Sequence, residues 1–440
     1  MMNGGGQPAS KQSMRRHNLA LVLRQVAASD SASRATVAAR VGLTKATVSS
    51  LVEELRLAGL VVEHVPENQG RVGRPGGALA LNPQGAAGVG VEVNVDYTAV
   101  CVADLTGAPR VRLTEHADNR GRDAEETLHS AGRLAARACA AARRAGLTPV
   151  QVTLGVPGLV HEDKVLHAPN LDWRHVPAGE LLVRGLGRQR LAVSVDNEAN
   201  LAAIGEFQAR PAGAGASFLY VSGEIGIGAG LMVDGTLFRG GGFAGEIGHV
   251  TVLPDGPECG CGARGCLERY AGQDALLEAA ALDSVSATRL GSAPAATATA
   301  TRTGGGPGGG AGRSALQDPP AEADAPVERL AALAAEGDEA AVRALAVAGR
   351  ALGVALSGAV NLLDPPEVVI GGIYARLAPW LIPSLQVQLH ERVTSGRWRS
   401  DRLQVSGLGT EAAVRGAAGA GVQAILRDPS AYIDLTSPML

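Results

Sequence analysis

The chain has 440 residues, 46% hydrophobic but only 3% aromatic, with 59 glycines and a formal charge of −3. That length excludes a single small module and fits two or three packed units, whose cores must be built from Leu, Val, Ile and Ala. No run approaches the roughly 20 apolar residues of a membrane helix, and the early apolar stretch from Leu19 to Val26 is interrupted by Arg24, unlike a signal peptide. A cytoplasmic location with no membrane partner is expected. Five cysteines, three of them between positions 259 and 266, have metal-like spacing rather than that of a disulfide framework. Residues 1–82 hold ten Lys or Arg against five Asp or Glu, so +5 sits there and −8 on the remainder. A basic head on an acidic body points to a polyanionic partner for the head.

After a glycine-rich start, with residues 1–14 read as a disordered tail, Leu19, Val22, Leu23 and Val26 recur at helical spacing. Ser33 is a good N-cap for a short helix with Val37, Ala38 and Val41 on its apolar side, ending at Gly42. Thr44 caps a third helix whose apolar side is Val48, Leu51, Val52 and Leu55. Lys45, Ala46, Thr47, Ser49 and Ser50 are left near its start to face outward. A short helix, a Gly-containing turn and a helix that begins with small or hydrogen-bonding residues is the pattern of a DNA recognition helix. Leu60–His64 and Ala78–Leu81 read as a hairpin around 70–76, a wing whose tip carries Arg71 and Arg74 for minor-groove or phosphate contact. Residues 15–82 are thus expected to form a winged helix-turn-helix; a helical protein-interaction module with a flexible loop is the alternative.

Beyond residue 85 the texture is α/β. Val89–Val95 and Ala99–Asp104 read as paired strands, 123–145 as an Ala-rich helix and Val150–Val156 as a buried strand. Leu191–Val195 then leads into a helix at Ala199–Gln208, followed by strands at Phe218–Val221 and Ile227–Val233. A helix at 340–362, a strand at Val368–Ile370 and a closing helix at Ala412–Leu426 complete the body, with 428–440 read as a tail. In the middle, Cys259, Cys261 and Cys266 follow His249 at spacings that can close a tetrahedral site. Thiolates with imidazole are the usual zinc shell, and with no open position such a zinc would be structural. Unrelated buried cysteines are the alternative.

Gly245-Glu246-Ile247-Gly248-His249, the cysteine string through Glu268, Ala168-Pro169-Asn170-Leu171 and Asp196-Asn197-Glu198-Ala199-Asn200 together resemble the ROK family of sugar kinases and sugar-responsive repressors. The resemblance runs from about residue 15 to 427. It implies an actin-like (ribonuclease H-like) sugar kinase fold of two α/β lobes over 86–427, behind the winged head. It also implies sugar contacts at Asn170, Asn197, Glu198, Glu246, His249 and Glu268; for Asn170 a plain turn or cap role stands beside this. Buried carboxylates that accept hydrogen bonds from neighbouring hydroxyls can distinguish epimers, because each unmatched group is costly.

The kinase chemistry is where this sequence departs from the family. The catalytic aspartate of the kinases falls on Glu198, whose extra methylene displaces the carboxylate by roughly 1 Å. The first phosphate loop, Asp-x-Gly-Gly-Thr in the kinases, reads Glu92-Val93-Asn94-Val95-Asp96, and the second, Gly-Thr-Gly, reads Glu224-Ile225-Gly226. A carboxylate beside the phosphates should repel ATP. No catalytic residue is therefore expected; Gly371-Gly372 still resembles the nucleotide-side loop, and an active sugar kinase with an added DNA-binding head is the alternative. Residues 281–326, rich in Ala, Thr, Gly, Pro and Ser, are expected to remain unfolded. The resemblance implies a repressor of carbohydrate genes, a homodimer or homotetramer on palindromic operator DNA, whose DNA binding a sugar or sugar phosphate changes, by relief or by promotion, through differential affinity for two conformations.

Overall fold

A computed structural model describes residues 11–29, 31–64, 77–211, 213–282, 325–394, 396 and 398–436. The wing tip with Arg71 and Arg74, and nearly all of the 281–326 insertion, lie outside the described residues. The head is built from α1 (Lys11–Ala27), α2 (Arg34–Val41), α3 (Lys45–Leu57) and the antiparallel pair β1 (Val61–His64) and β2 (Ala78–Leu81). Ser33 caps α2 by accepting the Thr36 N–H at 3.1 Å, and Gly42 ends it in the left-handed region at φ 71°. Thr44 caps α3 in the same way through the Thr47 N–H at 3.2 Å.

The body contains two five-stranded sheets of one topology. In the first, β3 (Ala86–Val93), β4 (Tyr97–Asp104) and β5 (Pro109–His116) form an antiparallel meander, with β6 (Thr148–Val156) and β10 (Ala192–Asn197) added in parallel on the β3 side. In the second, β11 (Phe218–Gly223), β12 (Ile227–Val233) and β13 (Thr236–Phe238) form the meander, while β14 (Val368–Gly372) and β15 (Leu403–Val405) run parallel to β11. The first lobe adds α4 (Ala124–Arg144), α5 (Ala178–Leu186) and a small sheet of β7 (Leu159–His161), β8 (Lys164–Ala168) and β9 (Trp173–Val176).

The helices that follow the fifth strand of each sheet cross over. From the first lobe, α6 (Glu198–Ala209) packs on β12 and β11; from the second, α12 (Ala412–Arg427) packs on β3, β6 and β4. The two also pack on each other, backbone against backbone. A Cβ at Gly416 would lie 1.8 Å from the Leu201 carbonyl oxygen, and one at Gly205 would lie 2.3 Å from that of Ala412. The second lobe is completed by α7 (Glu268–Ala271), α8 (Gln273–Ala279), α9 (Ala325–Ala335), α10 (Glu339–Leu363) and α11 (Ile373–Arg392). By length and composition alone α10 could cross a membrane, with mean hydropathy 1.5 over an 18-residue window. Its buried Leu345, Leu352 and Leu356 share the apolar core of α11 and the second sheet, which accounts for that composition.

Two further boundaries differ from expectation. The first helix begins by Lys11 rather than after residue 14, and the C-terminal segment read as a tail forms α13 (Pro429–Thr436). The reason is tertiary. Buried Tyr432 joins Val422, Ile425 and Leu426 of α12 in the same cluster as Leu19, Val22, Leu23 and Val26 of the head, while Arg16 pairs with Asp428 at 2.5 Å. Head and body thus share one core. Gly416→Val is expected to cost about 3 kcal/mol, because the helix contact leaves no room for a side chain. Gly358→Ala within α10, where nothing lies within 4 Å, should be neutral or stabilising by up to ~1 kcal/mol. Denaturant melts of the two variants check both.

Candidate functional site

The cleft between the lobes is lined from the first lobe by Asn170, Asn197, Glu198 and Asn200, and from the second by Glu224, Gly226, Glu246, His249 and Glu268. Asn197 ends β10 and caps α6: its Oδ1 accepts the N–H groups of Ala199 at 2.8 Å and Asn200 at 3.2 Å. Its Nδ2 donates to the Gly158 carbonyl at 2.9 Å, so a single side-chain N–H remains for a ligand. Glu198 follows as the buried first residue of α6. Asn170 sits on a 3-10 turn, Pro169–Leu171, closed by Asp172 in the left-handed region at φ 58°. Gly226 lets the two lobes approach, since a Cβ there would lie 2.6 Å from Glu268 Oε2 and 3.0 Å from Asn170 Nδ2.

Burial dominates the chemistry of the acids. It pushes Glu198 up to about 8, with Glu92, Glu268 and Glu246 adding repulsion. It pushes Glu92 up to about 7, against a Tyr97 hydroxyl that donates to Glu92 Oε1 at 2.7 Å. Asn94 Nδ2 donates to the same tyrosine oxygen at 3.2 Å, and Asn94 Oδ1 accepts the Val95 N–H at 2.7 Å. Side chains therefore fill the turn between β3 and β4. In the second lobe the Glu224 carboxylate lies against Gly372, whose Cβ would stand 2.8 Å from Glu224 Oε1.

Beside the cleft, one ligand atom each from His249, Cys259, Cys261 and Cys266 falls within 4.8 Å of all the others. His249 Nδ1 is 3.8 Å from Cys259 Sγ, and Cys261 Sγ is 3.7 Å from Cys266 Sγ, far from the ~2.05 Å of a disulfide. Four N and S donors converging in this way suit a tetrahedral cation, and burial beside the other two thiols pushes Cys266 up to about 12. A nearby cation would favour the thiolate that this environment disfavours. His249 belongs to both places: Nδ1 faces the cysteines while the residue lines the cleft. Glu268 begins α7 two residues after Cys266, so the cysteine loop also sets its position.

On the head, Lys45, Ala46 and Ser50 are exposed on the first turns of α3, while Thr47 and Ser49 are half-buried. These residues form a surface separate from the cleft. A contact that sequence reasoning missed is the bidentate pair between Arg239, just after edge strand β13, and Asp196 at the end of edge strand β10. Arg239 Nη1 reaches Asp196 Oδ1 at 3.0 Å and Nη2 reaches Oδ2 at 2.5 Å, while Asn200 Nδ2 donates to the same Oδ1 at 3.1 Å. The pair joins the edges of the two sheets beside Asn197. No local pattern links positions 43 residues apart.

These features define a two-lobed protein with a lobe-interface cleft, a His/Cys cluster and a head of three helices and a two-stranded hairpin. The chain belongs to the ROK family, whose model matches residues 88–421. A xylose repressor of Caldicellulosiruptor bescii is 36% identical over 59% of this chain, but that alignment spans only 65% of the relative's length. A xylose repressor of Bacillus subtilis is 27% identical over 93% of this chain and 95% of its own. Among solved structures, a ROK family transcriptional regulator homologous to the E. coli Mlc protein superposes with TM-score 0.71 at 22% identity, covering 96% of this chain and 99% of its own. A ROK glucokinase from Streptomyces griseus, in complex with glucose and AMPPNP, gives TM-score 0.58 at 25% identity, with 77% of this chain covering 99% of the kinase. The body thus has the actin-like fold of these proteins.

The acid pair predicts a pH dependence. Glu92 at about 7 and Glu198 at about 8 both lie above the ordinary 4.5, so folding takes up protons between those values. Their contribution is full below about pH 4.5, falls as pH rises and is gone above about pH 8. Glu198→Gln should flatten the loss of melting temperature between pH 6 and 9; an unchanged slope would mean that this carboxyl is already ionised in the fold.

Proposed function

We propose that the chain is a sugar-responsive DNA-binding repressor of carbohydrate genes whose kinase-derived body binds a sugar without phosphorylating it. The observation that carries this reading is a head of three helices and a two-stranded hairpin packed in one core with α12, on a chain aligned over nearly its whole length with a xylose repressor. Lys45, Ala46, Thr47, Ser49 and Ser50, with Arg71 and Arg74 of the wing, are assigned to operator DNA. Asn170, Asn197, Glu198, Glu246, His249 and Glu268 are assigned to the sugar. Two heads of a homo-oligomer would span a palindrome, since matched half-sites need a two-fold partner. A cytoplasmic location accords with free thiols and a DNA target.

The cluster is assigned to a structural zinc ion held by Cys259, Cys261, Cys266 and His249 Nδ1. A zinc ion held by these residues would fix the cysteine loop and the imidazole plane, leaving His249 Nε2 available to a sugar hydroxyl. Glu268, two residues beyond the last cysteine ligand, would accept from hydroxyls across the cleft.

Three features argue against phosphoryl transfer. Glu198 carries its carboxyl one methylene further than the aspartate of the kinases, Tyr97 and Asn94 fill the turn where their glycines lie, and Glu224 lies against Gly372. A coupled assay with D-glucose or D-xylose and ATP should show no ADP above background. Steady ADP formation would restore the kinase reading. Lys45→Ala should weaken operator binding about tenfold, the ~1–3 kcal/mol of one lost contact, while leaving sugar binding intact. Cys261→Ser should lose about one equivalent of zinc by elemental analysis and weaken the sugar response.

A further inference from the structure

One segment of the second lobe reaches across to the first at the edge of the cleft. Residues 239–245, between β13 and Glu246, turn back on themselves: the Arg239 carbonyl accepts the Gly242 N–H at 2.7 Å and the Ala244 N–H at 3.3 Å. Gly245 pins the far end to β12, where a Cβ would stand 2.0 Å from the Ala229 carbonyl oxygen. Two side chains of the segment touch the first lobe. Phe243 meets His161 of β7 with ring centroids 6.0 Å apart. Arg239 donates to both carboxylate oxygens of Asp196, at 3.0 and 2.5 Å. Asp196 in turn orders its own lobe: its Oδ1 accepts the Asn197 N–H at 2.8 Å and Asn200 Nδ2 at 3.1 Å. Both asparagines line the cleft, and Asn200 Oδ1 is buried with no hydrogen-bond partner among the described residues. On the other side, Glu246 and His249 follow directly on Gly245 and line the cleft from the second lobe.

We infer that Arg239 and Asp196 form a clasp between the lobes, with Arg239 as a positioning residue that holds the two halves of the cleft together around a ligand. This rests on the sugar-sensor reading above. Arg239 is not among the described residues that line the cleft, so it acts through Asp196 and the asparagines that Asp196 orders. The lobes cannot part at this edge without breaking two charge-assisted hydrogen bonds. A sugar held by residues of both lobes favours the joined arrangement, so the clasp adds to its affinity through the conformational equilibrium, and the same equilibrium carries the effect to the head. The Arg239 side chain is 51% exposed and that of Asp196 13%, which leaves the pair open to screening by salt.

The test uses the full chain loaded with zinc, with D-glucose, D-xylose and N-acetyl-D-glucosamine as probes in isothermal titration. Arg239→Gln should weaken binding of whichever probe the parent binds by about fivefold to tenfold, the effect of losing a half-exposed bidentate pair. Salt separates a clasp from a packing role. The probes are uncharged, so affinity in the parent should fall as salt rises from about 50 to about 500 mM, through screening of the pair, while affinity in Arg239→Gln should stay level. Asp196→Asn should lose a similar factor, and the double variant hardly more than either alone, because both substitutions remove one interaction. Parent-like affinity or a parent-like salt response in Arg239→Gln, in protein that melts like the parent, overturns the clasp and leaves the sensor reading standing. Additive losses in the double variant do the same. Binding of none of the three probes by the parent overturns both.

Discussion

The structure depends on the crossing of α6 and α12. Each helix starts in one lobe and lies on the sheet of the other, and the two meet at a separation that only glycine allows, at Gly205 and Gly416. One end of α6 is the cleft, where Asn197 caps the helix and Glu198 opens it. The far end of α12 is the head, where Val422, Ile425 and Leu426 enter the core built by α1, α2 and α3. Close-packed interiors shift between discrete arrangements rather than deforming smoothly. A change in the angle between the lobes therefore has a short mechanical route to the head through two helices in backbone contact.

In the reading proposed above, a kinase-type cleft serves as a sensing site. Asn94 and Tyr97 fill the turn between β3 and β4, and the Glu224 carboxylate lies against Gly372. Of the buried acids, Glu198 lines the cleft in an environment that favours its neutral form. A neutral carboxyl both donates and accepts, a versatile partner for a sugar and a poor base. His249 ties this cleft to the cysteine cluster through a single ring, so the order of the cysteine loop and the order of the cleft are one property.

Much of this was legible in the sequence, for identifiable reasons. Elements whose apolar period matched their final state, such as β11 and β12, α4, α10 and α12, were read within a few residues, and the caps Ser33 and Thr44 announced α2 and α3. The six side chains singled out by motif line one cleft, and the four singled out by ligand spacing lie together. What escaped was what tertiary contact decides. Helix α11 carries Pro379 and Pro383 in its interior, α5 and the small β7–β9 sheet are short, and α13 exists as part of a core it shares with residues more than 400 positions earlier, as the Arg16–Asp428 pair illustrates. The Arg239–Asp196 pair and the Glu224 contact with Gly372 likewise join segments that no local pattern connects.

The claim on which the account turns is that one molecule couples a sugar in the cleft to DNA at the head. The most direct measurement is fluorescence anisotropy of DNA from upstream of the protein's own gene, titrated with the full chain at fixed salt and repeated across a panel of monosaccharides. The account predicts sequence-specific binding whose apparent affinity shifts by about tenfold or more with one sugar and not with its epimers, a coupling of ~1–3 kcal/mol. Specific DNA binding that no sugar alters, by a protein shown separately to bind sugar in the cleft, would contradict it.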